Sequence, residues 1–338
     1  MFDPRRVSSI AFIASIVMAL FLASPTVAQT SLETAQKEGE VVVYGANINE
    51  VVDPLHRAFE KKYGIAVKYW RAASTAVAAR AMAEWRSGRP EFDVVQGNRG
   101  LQLIMAKEGL FSKHVPPAVE KFPSQFRDPE GLLSPMSFLP MGILYNNELV
   151  KPSEAPKSLD DLLDPKWRGK IVIPDPSQHV TAALFMKNVE KIKGTKWLDW
   201  VKSLAQQKPL MVASLAPVPI EMTKGEALVG ITYIKYVIQH KGPVDYVATD
   251  KYLTDANYLS VGSMARHPNA ARLYVDFAAS AEGQEFVAKT GDFVLYPGIL
   301  PPVRAADKVV ANMVIMDSPP EQEIKKLTAD FRDIFLGK

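Results

Sequence analysis

An alternation of short β-branched runs with helical segments constrains the fold of this chain more than any other feature. Residues 41–44 (VVVY) have the composition of a buried strand, and residues 51–59 repeat apolar side chains at helical spacing before Gly64. Residues 65–69 (IAVKY) then predict a second strand. A strand, a helix and a strand in this order favour two parallel strands with a right-handed crossover. The sequence therefore begins with an α/β domain.

The alternation continues and then restarts, which predicts a second α/β unit. The further predicted elements are a strand at 92–95 and, after a change of pattern at 136–150, strands at 171–174 and 228–233, two consecutive helices within 267–291 and a final amphipathic helix at 320–335. A chain of this length exceeds the size at which one hydrophobic core keeps growing, so two domains are expected.

Residues 1–28 have the features of a cleaved secretory signal peptide. Arg5 and Arg6 give a positive start, residues 10–23 form an uncharged apolar run, and residues 26–28 (TVA) have the small-x-small pattern of a cleavage site. The alternative, an uncleaved anchor, is disfavoured because the run is shorter than the ~20 residues of a spanning helix. We therefore expect a periplasmic protein without stable membrane insertion.

The composition excludes several classes of function. The chain has no cysteine, which rules out disulfides, cysteine-based metal sites, a thiol nucleophile and a lipid-modified cysteine. Its 40 basic and 37 acidic residues become 38 and 36 without residues 1–28, a formal charge of +2 that is too small to indicate nucleic acid. Common catalytic motifs are absent, and the five histidines have no metal-ligand spacing. No enzymatic activity and no cofactor are therefore expected.

Several stretches, in this order, resemble the family 1 extracellular solute-binding proteins of ABC importers. They are GEVVVYGANINEVVDPLHRAFEKKYGIAVKYWRA, LPMGILYNNELV, KSLDDLLDPKWRGKIVIPDPS and HPNAARLYVDFAASAEGQEF. The similarity is greatest to the branch that contains ferric-iron, phosphonate, sugar-phosphate and thiamine binders.

The resemblance implies a two-lobed periplasmic-binding-protein fold of type II. Each lobe would be a mostly parallel sheet flanked by helices, and crossover strands would form the hinge. Lobe 1 would comprise residues 31–140 plus about 256–300, and lobe 2 residues 141–255 plus about 301–338. The partners would be a small ligand and the permease and ATPase subunits of an importer. We expect a monomer.

Ligands of open α/β sheets bind beyond the carboxyl ends of the strands. Together with the resemblance, this rule predicts a ligand site made of residues that follow strands or lie at the proposed hinge: Tyr44, Asn47, Arg71, Ser74, Thr75, Asn98, Tyr145, Ser177, His179, Thr181, Tyr233 and Tyr236.

Two helix starts among these residues predict binding of an anion. Ser74 and Thr75 offer hydroxyls and free backbone N–H groups, and Arg71 adds a cation able to bind a phosphate or carboxylate with two hydrogen bonds. Ser177 and Thr181 repeat the arrangement in the second unit. The alternative role of Ser74 is that of a helix cap.

Tyr233 and Tyr236 raise the alternative of ferric iron, which phenolates bind strongly. Iron-binding members of the family use two adjacent tyrosines, whereas two residues separate them here. Side chains three positions apart on a strand face opposite ways, so the two phenols converge only if the strand ends at Tyr233 and a helix follows. Packing of one tyrosine in the core is a further alternative.

The sequence therefore predicts a binding protein for a small organic anion, phosphorylated or carboxylated. Ferric iron is the alternative cargo. The same fold would also suit a sensor-linked binding protein or a periplasmic enzyme.

Overall fold

The computed structural model describes residues 32–337, which form two α/β lobes connected through two long strands. The predicted signal peptide lies outside the described residues. Among residues 32–337, no helix combines the length and the apolar character that crossing a membrane requires.

The strands and helices alternate as the sequence predicts. The strands are β1 (Glu40–Gly45), β2 (Ala66–Arg71), β3 (Val94–Asn98), β4 (Ser134–Asn146), β5 (Ile171–Pro174), β6 (Leu210–Val212), β7 (Val229–Tyr233), β8 (Val244–Tyr246), β9 (Tyr252–Val261), β10 (Phe293–Val294) and β11 (Met313–Ile315). The helices are α1 (Leu32–Glu38), α2 (Asn49–Tyr63), α3 (Ser74–Arg86), α4 (Arg99–Lys107), α5 (Val180–Asn188), α6 (Glu190–Lys193), α7 (Trp197–Gln206), α8 (Pro217–Thr223), α9 (Tyr236–Gln239), α10 (Pro268–Ala279), α11 (Ala281–Lys289), α12 (Ala306–Ala311) and α13 (Glu321–Leu336). Short 3-10 turns lie at Pro117–Lys121, Ser124–Phe126, Asp160–Leu163, Pro165–Trp167 and Gly194–Lys196.

The first lobe is built on the predicted β-α-β unit. Strand β1 pairs in parallel with β2 and β3. Helix α2 ends where Gly64 adopts the left-handed conformation at φ 70° and donates its N–H to the Glu60 carbonyl. Phe59 of α2 packs edge-on against Tyr274 and close to Phe277 of α10, with ring centroids 5.3 and 5.8 Å apart. The late helices therefore return to the first lobe.

Strands β4 and β9 pass between the lobes and form the hinge. Residues 134–140 of β4 pair with β9, whereas residues 141–145 pair with β7. Residues 257–261 of β9 pair with β3, and residues 252–254 pair with β11. Both strands thus change pairing partners near residues 140 and 255, where the sequence places the lobe boundaries. The exact boundaries stay a prediction.

The second lobe centres on the parallel strands β7, β5 and β6. Its core contains Phe185 of α5, Trp200 of α7 and Phe331 of α13, each 4 % exposed or less. Because Phe331 lies in this core, the last helix of the chain is an integral part of the second lobe.

His56 links the stability of the first lobe to pH. The residue is buried, with its Nε2 atom 3.0 Å from the Tyr274 hydroxyl, and burial lowers its pKa from 6.5 to about 4. The unfolded chain therefore takes up a proton near pH 6.5, whereas the folded chain resists protonation down to about pH 4. The stability contributed by the neutral ring is fully present above the unfolded pKa and is lost as the pH falls towards 4.

We expect the difference in unfolding free energy between the wild type and His56→Phe to fall by about 3 kcal/mol from pH 7 to pH 4. Urea unfolding at both pH values measures this difference, and the phenylalanine variant removes the titration while keeping an aromatic ring. A difference that does not change with pH would show that His56 is not held neutral.

Candidate functional site

A cleft lies above the hinge strands, between the carboxyl ends of β1, β2 and β3 on one side and of β5 and β7 on the other. It has a volume of about 240 Å³. Eight of the predicted residues line it: Asn47, Arg71, Ser74, Asn98, His179, Thr181, Tyr233 and Tyr236. The rule that ligands bind beyond the strand ends therefore brings most of the predicted residues to one place.

The first-lobe wall presents a cation and an unsatisfied amide. Arg71 is exposed at the end of β2 and forms no ion pair with any residue between 32 and 337. The backbone carbonyl of Asn47 accepts a hydrogen bond from the Tyr69 hydroxyl at 2.9 Å, which fixes the loop after β1. The Asn47 side-chain Nδ2 is buried and has no hydrogen-bond partner. The Arg71 guanidinium and the Asn47 side-chain amide are therefore free to bind a ligand.

Helix α3 begins in this wall without a side-chain cap. The cap position is Ala73, so Ser74 is the first helical residue and not the cap that the sequence suggests. The first N–H groups of α3 are therefore left without a side-chain acceptor, and this end of the helix carries partial positive charge. The Asn98 side chain, in contrast, caps α4 by accepting from Leu101 N at 3.2 Å.

The second-lobe wall contains the start of α5. His179 occupies the cap position of this helix but makes no side-chain cap bond. Its Nδ1 atom is buried without a partner, and burial lowers the pKa of the imidazole, which favours the neutral ring. Thr181 lies in the first turn and lines the cleft together with Tyr233. This wall thus offers neutral donors and acceptors.

Tyr233 and Tyr236 converge in the cleft. Strand β7 ends at Tyr233 and α9 begins at Tyr236, which is the condition that the sequence set for their convergence. The ring centroids lie 6.2 Å apart. Burial raises the pKa of both phenols, that of Tyr233 well above its usual value of 10, so both rings are neutral at physiological pH.

A buried ion pair lies beside the tyrosines. The ammonium of Lys235 is 2.9 Å from Asp292 Oδ1, and the two side chains are 7 % and 0 % exposed. Gln239 Nε2 donates to the same carboxylate oxygen at 3.1 Å. Lys235 and Gln239 line the cleft and come from the segment expected in lobe 2, whereas Asp292 comes from that expected in lobe 1.

A second buried carboxylate, Asp255, lies in the middle of hinge strand β9. It is 6 % exposed, and burial raises its pKa to about 6. Its Oδ1 accepts from the N–H of Ala256 at 2.8 Å, whereas Oδ2 is buried and has no partner. The cross-strand neighbour of Asp255 is Leu139, which lines the cleft.

Four predicted residues do not line the cleft. Tyr44 is buried in the first-lobe core against Trp70, and its hydroxyl donates to Glu84 Oε1 at 3.0 Å. Tyr145 is buried in the second-lobe core. Thr75 and Ser177 line a neighbouring groove between α3, α5 and α13, where the Ser177 hydroxyl is buried without a partner.

The strand-end reasoning missed several polar residues of the cleft. Ser214 follows β6, and the same rule applied to that short strand would have found it. Asn257 lines the cleft and Asp255 lies beside it, and both are polar side chains at alternate positions of a strand that is otherwise largely apolar, which is a readable signal. The pairing of Lys235 with Asp292 has no local signal in the sequence.

Comparisons with known proteins agree with this architecture. The family model for bacterial extracellular solute-binding proteins matches residues 89–330. The solved structure of the periplasmic binding protein AfuA from Actinobacillus pleuropneumoniae, with fructose 6-phosphate bound, is 25 % identical, has a TM-score of 0.75 and covers 88 % of this chain and 99 % of that one.

Two further proteins are similar over different extents. The iron-bound HitA from Pseudomonas aeruginosa has a TM-score of 0.71 at 19 % identity, covering 86 % of this chain and 99 % of its own. A probable ABC transporter periplasmic-binding protein of Sinorhizobium fredii, y4fP, is 30 % identical over 122 residues, which are 36 % of this chain and 34 % of that protein.

These findings confirm the resemblance found in the sequence and the two-lobed type II fold that it implies. The chain belongs to the bacterial extracellular solute-binding proteins, which bind ligands for ABC importers and are not enzymes.

Proposed function

We propose that this protein is a periplasmic monomer that carries a small organic anion, phosphorylated or carboxylated, to the permease and ATPase subunits of an ABC importer. The observation that carries the proposal is the unpaired guanidinium of Arg71 beside the uncapped start of α3 in the cleft. A guanidinium and free helix N–H groups recognise phosphate and carboxylate oxygens through charge-assisted hydrogen bonds.

The charges around the cleft support an anionic ligand on the first-lobe wall. Lys235 is neutralised by Asp292, and the His179 ring is neutral because burial lowers its pKa. Arg71 is therefore the cation in this lining that has no acidic partner among the described residues. An anion bound at this wall would accept hydrogen bonds from the Arg71 guanidinium and from the free N–H groups at the start of α3.

Contacts with the second-lobe wall would let the same ligand stabilise the closed form of the protein. The uncapped start of α5 and the unpaired Nδ1 of His179 face the cleft from the opposite lobe. A ligand that contacts both walls binds the closed form better than the open one and shifts the balance between them. The fructose 6-phosphate in AfuA is an anion of the proposed class in a similar fold.

We expect the Arg71→Ala variant to lose about 10- to 100-fold in affinity for the anion, because a hydrogen bond to a charged group contributes about 1.5–3 kcal/mol. The measurement is a thermal-shift screen of the mature chain against phosphorylated and carboxylated metabolites. Arg57→Ala is the matched control, since Arg57 is exposed on α2 and pairs only loosely with Asp53 at 3.8 Å. Equal shifts in Arg71→Ala and the wild type would contradict the proposal.

Ferric iron is a second candidate cargo, and one observation favours it. The phenols of Tyr233 and Tyr236 lie side by side in the cleft, and HitA is an iron-bound protein of similar fold. Burial raises the pKa of both phenols, which disfavours the tyrosinate form that ferric iron requires. Titration with ferric citrate decides between the candidates: iron bound by tyrosinate gives a visible charge-transfer band that Tyr233→Phe removes, whereas the organic-anion proposal predicts no such band.

A further inference from the structure

Asp255 lies directly beneath the cleft on strand β9, because its cross-strand neighbour Leu139 and the next residue on its face, Asn257, both line the cleft. Side chains at odd positions of this strand share one face. On that face Leu253 packs in the second-lobe core and Leu259 in the first-lobe core, so apolar side chains occupy both ends. Asp255 and Asn257 lie between them, and Asn257 lines the cleft. The polar pair therefore marks where the hinge strand passes beneath the ligand.

The carboxylate of Asp255 lacks a partner for one of its oxygens. Oδ1 accepts a hydrogen bond from the neighbouring backbone N–H, and Oδ2 is buried without a donor. Buried carboxylates in folded proteins are almost always paired or hydrogen-bonded, because their removal from water is unfavourable. A ligand with a hydrogen-bond donor would provide the missing partner of Oδ2.

No cation of the described part of the chain is positioned to neutralise Asp255. Lys235 is paired with Asp292. Arg71 lies at the end of β2, which is three strands away from β9 in the sheet. The cleft thus has an unpaired guanidinium on its wall and an unpaired carboxylate directly beneath it. This arrangement is complementary to a ligand that carries both charges.

We propose that Asp255 binds a cationic group of the ligand, so that the carried solute is a zwitterion with its anionic end at Arg71 and an ammonium group at Asp255. This inference rests on the proposed function, because it assumes that the first-lobe wall holds the anionic end. It adds a binding residue on the hinge and a substrate class.

The sheet order sets the separation of the two charged groups. Strands β2 and β9 are three steps apart in the order β2-β1-β3-β9, which is about 14 Å between strand axes. The pairing register places Arg71 level with Leu259, four residues or about 13 Å along β9 from Asp255, so the two backbone positions are roughly 20 Å apart. The long Arg71 side chain spans part of this distance. The ligand is therefore expected to have a linker of roughly three to five carbon atoms between its phosphate or carboxylate and its ammonium group.

Calorimetric titration with matched probes tests the inference. The probes are ω-aminoalkyl phosphates and ω-amino carboxylates with linkers of this length, each beside the alkyl phosphate or carboxylate that lacks the amine. We expect the amine to improve wild-type affinity about 10- to 100-fold, as a charge-assisted hydrogen bond does. Asp255→Asn should abolish this gain while binding the amine-free probe equally well or more tightly.

Controls separate the inference from a folding defect and from the proposed function. Asp330→Asn makes the same change on the exposed face of α13 and should keep the preference for the amine. Asp255→Asn should melt at or above the wild-type temperature, since it removes an unpaired buried charge that disfavours the folded state without changing shape. Wild type that binds amine-free probes as tightly as amino probes, with Arg71→Ala weakening both, would overturn the role of Asp255 and leave the proposed function intact. Absence of binding to every probe of both series would overturn both.

Discussion

Replacing Asp292 by alanine should lower the free energy of unfolding by about 3–5 kcal/mol, because it leaves the Lys235 ammonium buried without a counter-charge. Both side chains are almost fully enclosed, and the carboxylate also accepts from Gln239. Urea unfolding at pH 7, followed by far-ultraviolet circular dichroism, measures the loss.

Two controls identify the ion pair as the cause. Asp53→Ala removes an exposed carboxylate whose pairing with Arg57 is worth less than about 1 kcal/mol, so its stability should be close to wild type. The double variant Lys235→Met/Asp292→Leu removes both charges and should recover much of the loss seen in Asp292→Ala. If Asp292→Ala unfolds within about 1 kcal/mol of the wild type, roughly the value of a surface pair, the pair is not buried as described.

Truncating Phe331 to alanine should destabilise the protein by about 3–5 kcal/mol, the usual cost of removing a fully buried phenylalanine side chain. Phe331 is 0 % exposed and lies in the second-lobe core with Trp200 and Phe185. The size of the effect tests whether the last helix belongs to the second lobe, since an appended helix would contribute little to its unfolding.

Phe335→Ala, one turn further along α13, is the matched control. Phe335 is only partly buried at the edge of the same core, so its truncation should cost clearly less than that of Phe331. Equal effects of the two substitutions, or no effect of Phe331→Ala, would mean that α13 does not complete this core. Chemical denaturation of both variants gives the comparison.

Much of the fold follows from the sequence because its signals are local. The β-branched run at residues 41–44 and the glycine that ends α2 each determine structure within a few residues of themselves. The course of β4 and β9 through both lobes is different. It depends on pairing between segments more than 100 residues apart, and the sequence indicated it only through the family resemblance.

The sequence predicts correctly those cleft residues whose position depends only on where a strand ends. It fails for residues such as Tyr44, whose position depends on the direction of the side chain. Arg71 and Tyr233 end strands β2 and β7, and Thr181 lies in the helix that follows β5. All three line the cleft because the carboxyl ends of these strands meet there. Tyr44 also lies near a strand end, but its side chain points into the core, since both faces of β1 are covered. Position along a strand does not specify the face.

The buried charges of the hinge show the limit of sequence reasoning. Lys235 and Asp292 are far apart in the chain and meet only in the folded structure. Asp255 lies beneath the cleft, between Leu253 and Leu259, which share its face and enter different cores. Both facts require the three-dimensional arrangement, although the polar residues within β9 hint at the second.

Isothermal titration calorimetry of the mature wild type and of Arg71→Ala, with the anion that gives the largest thermal shift, tests the central claim most directly. We expect one ligand per chain, with affinity that falls about 10- to 100-fold in the variant. Undiminished affinity in Arg71→Ala would contradict the claim that the cleft binds its ligand through an anionic group at this arginine.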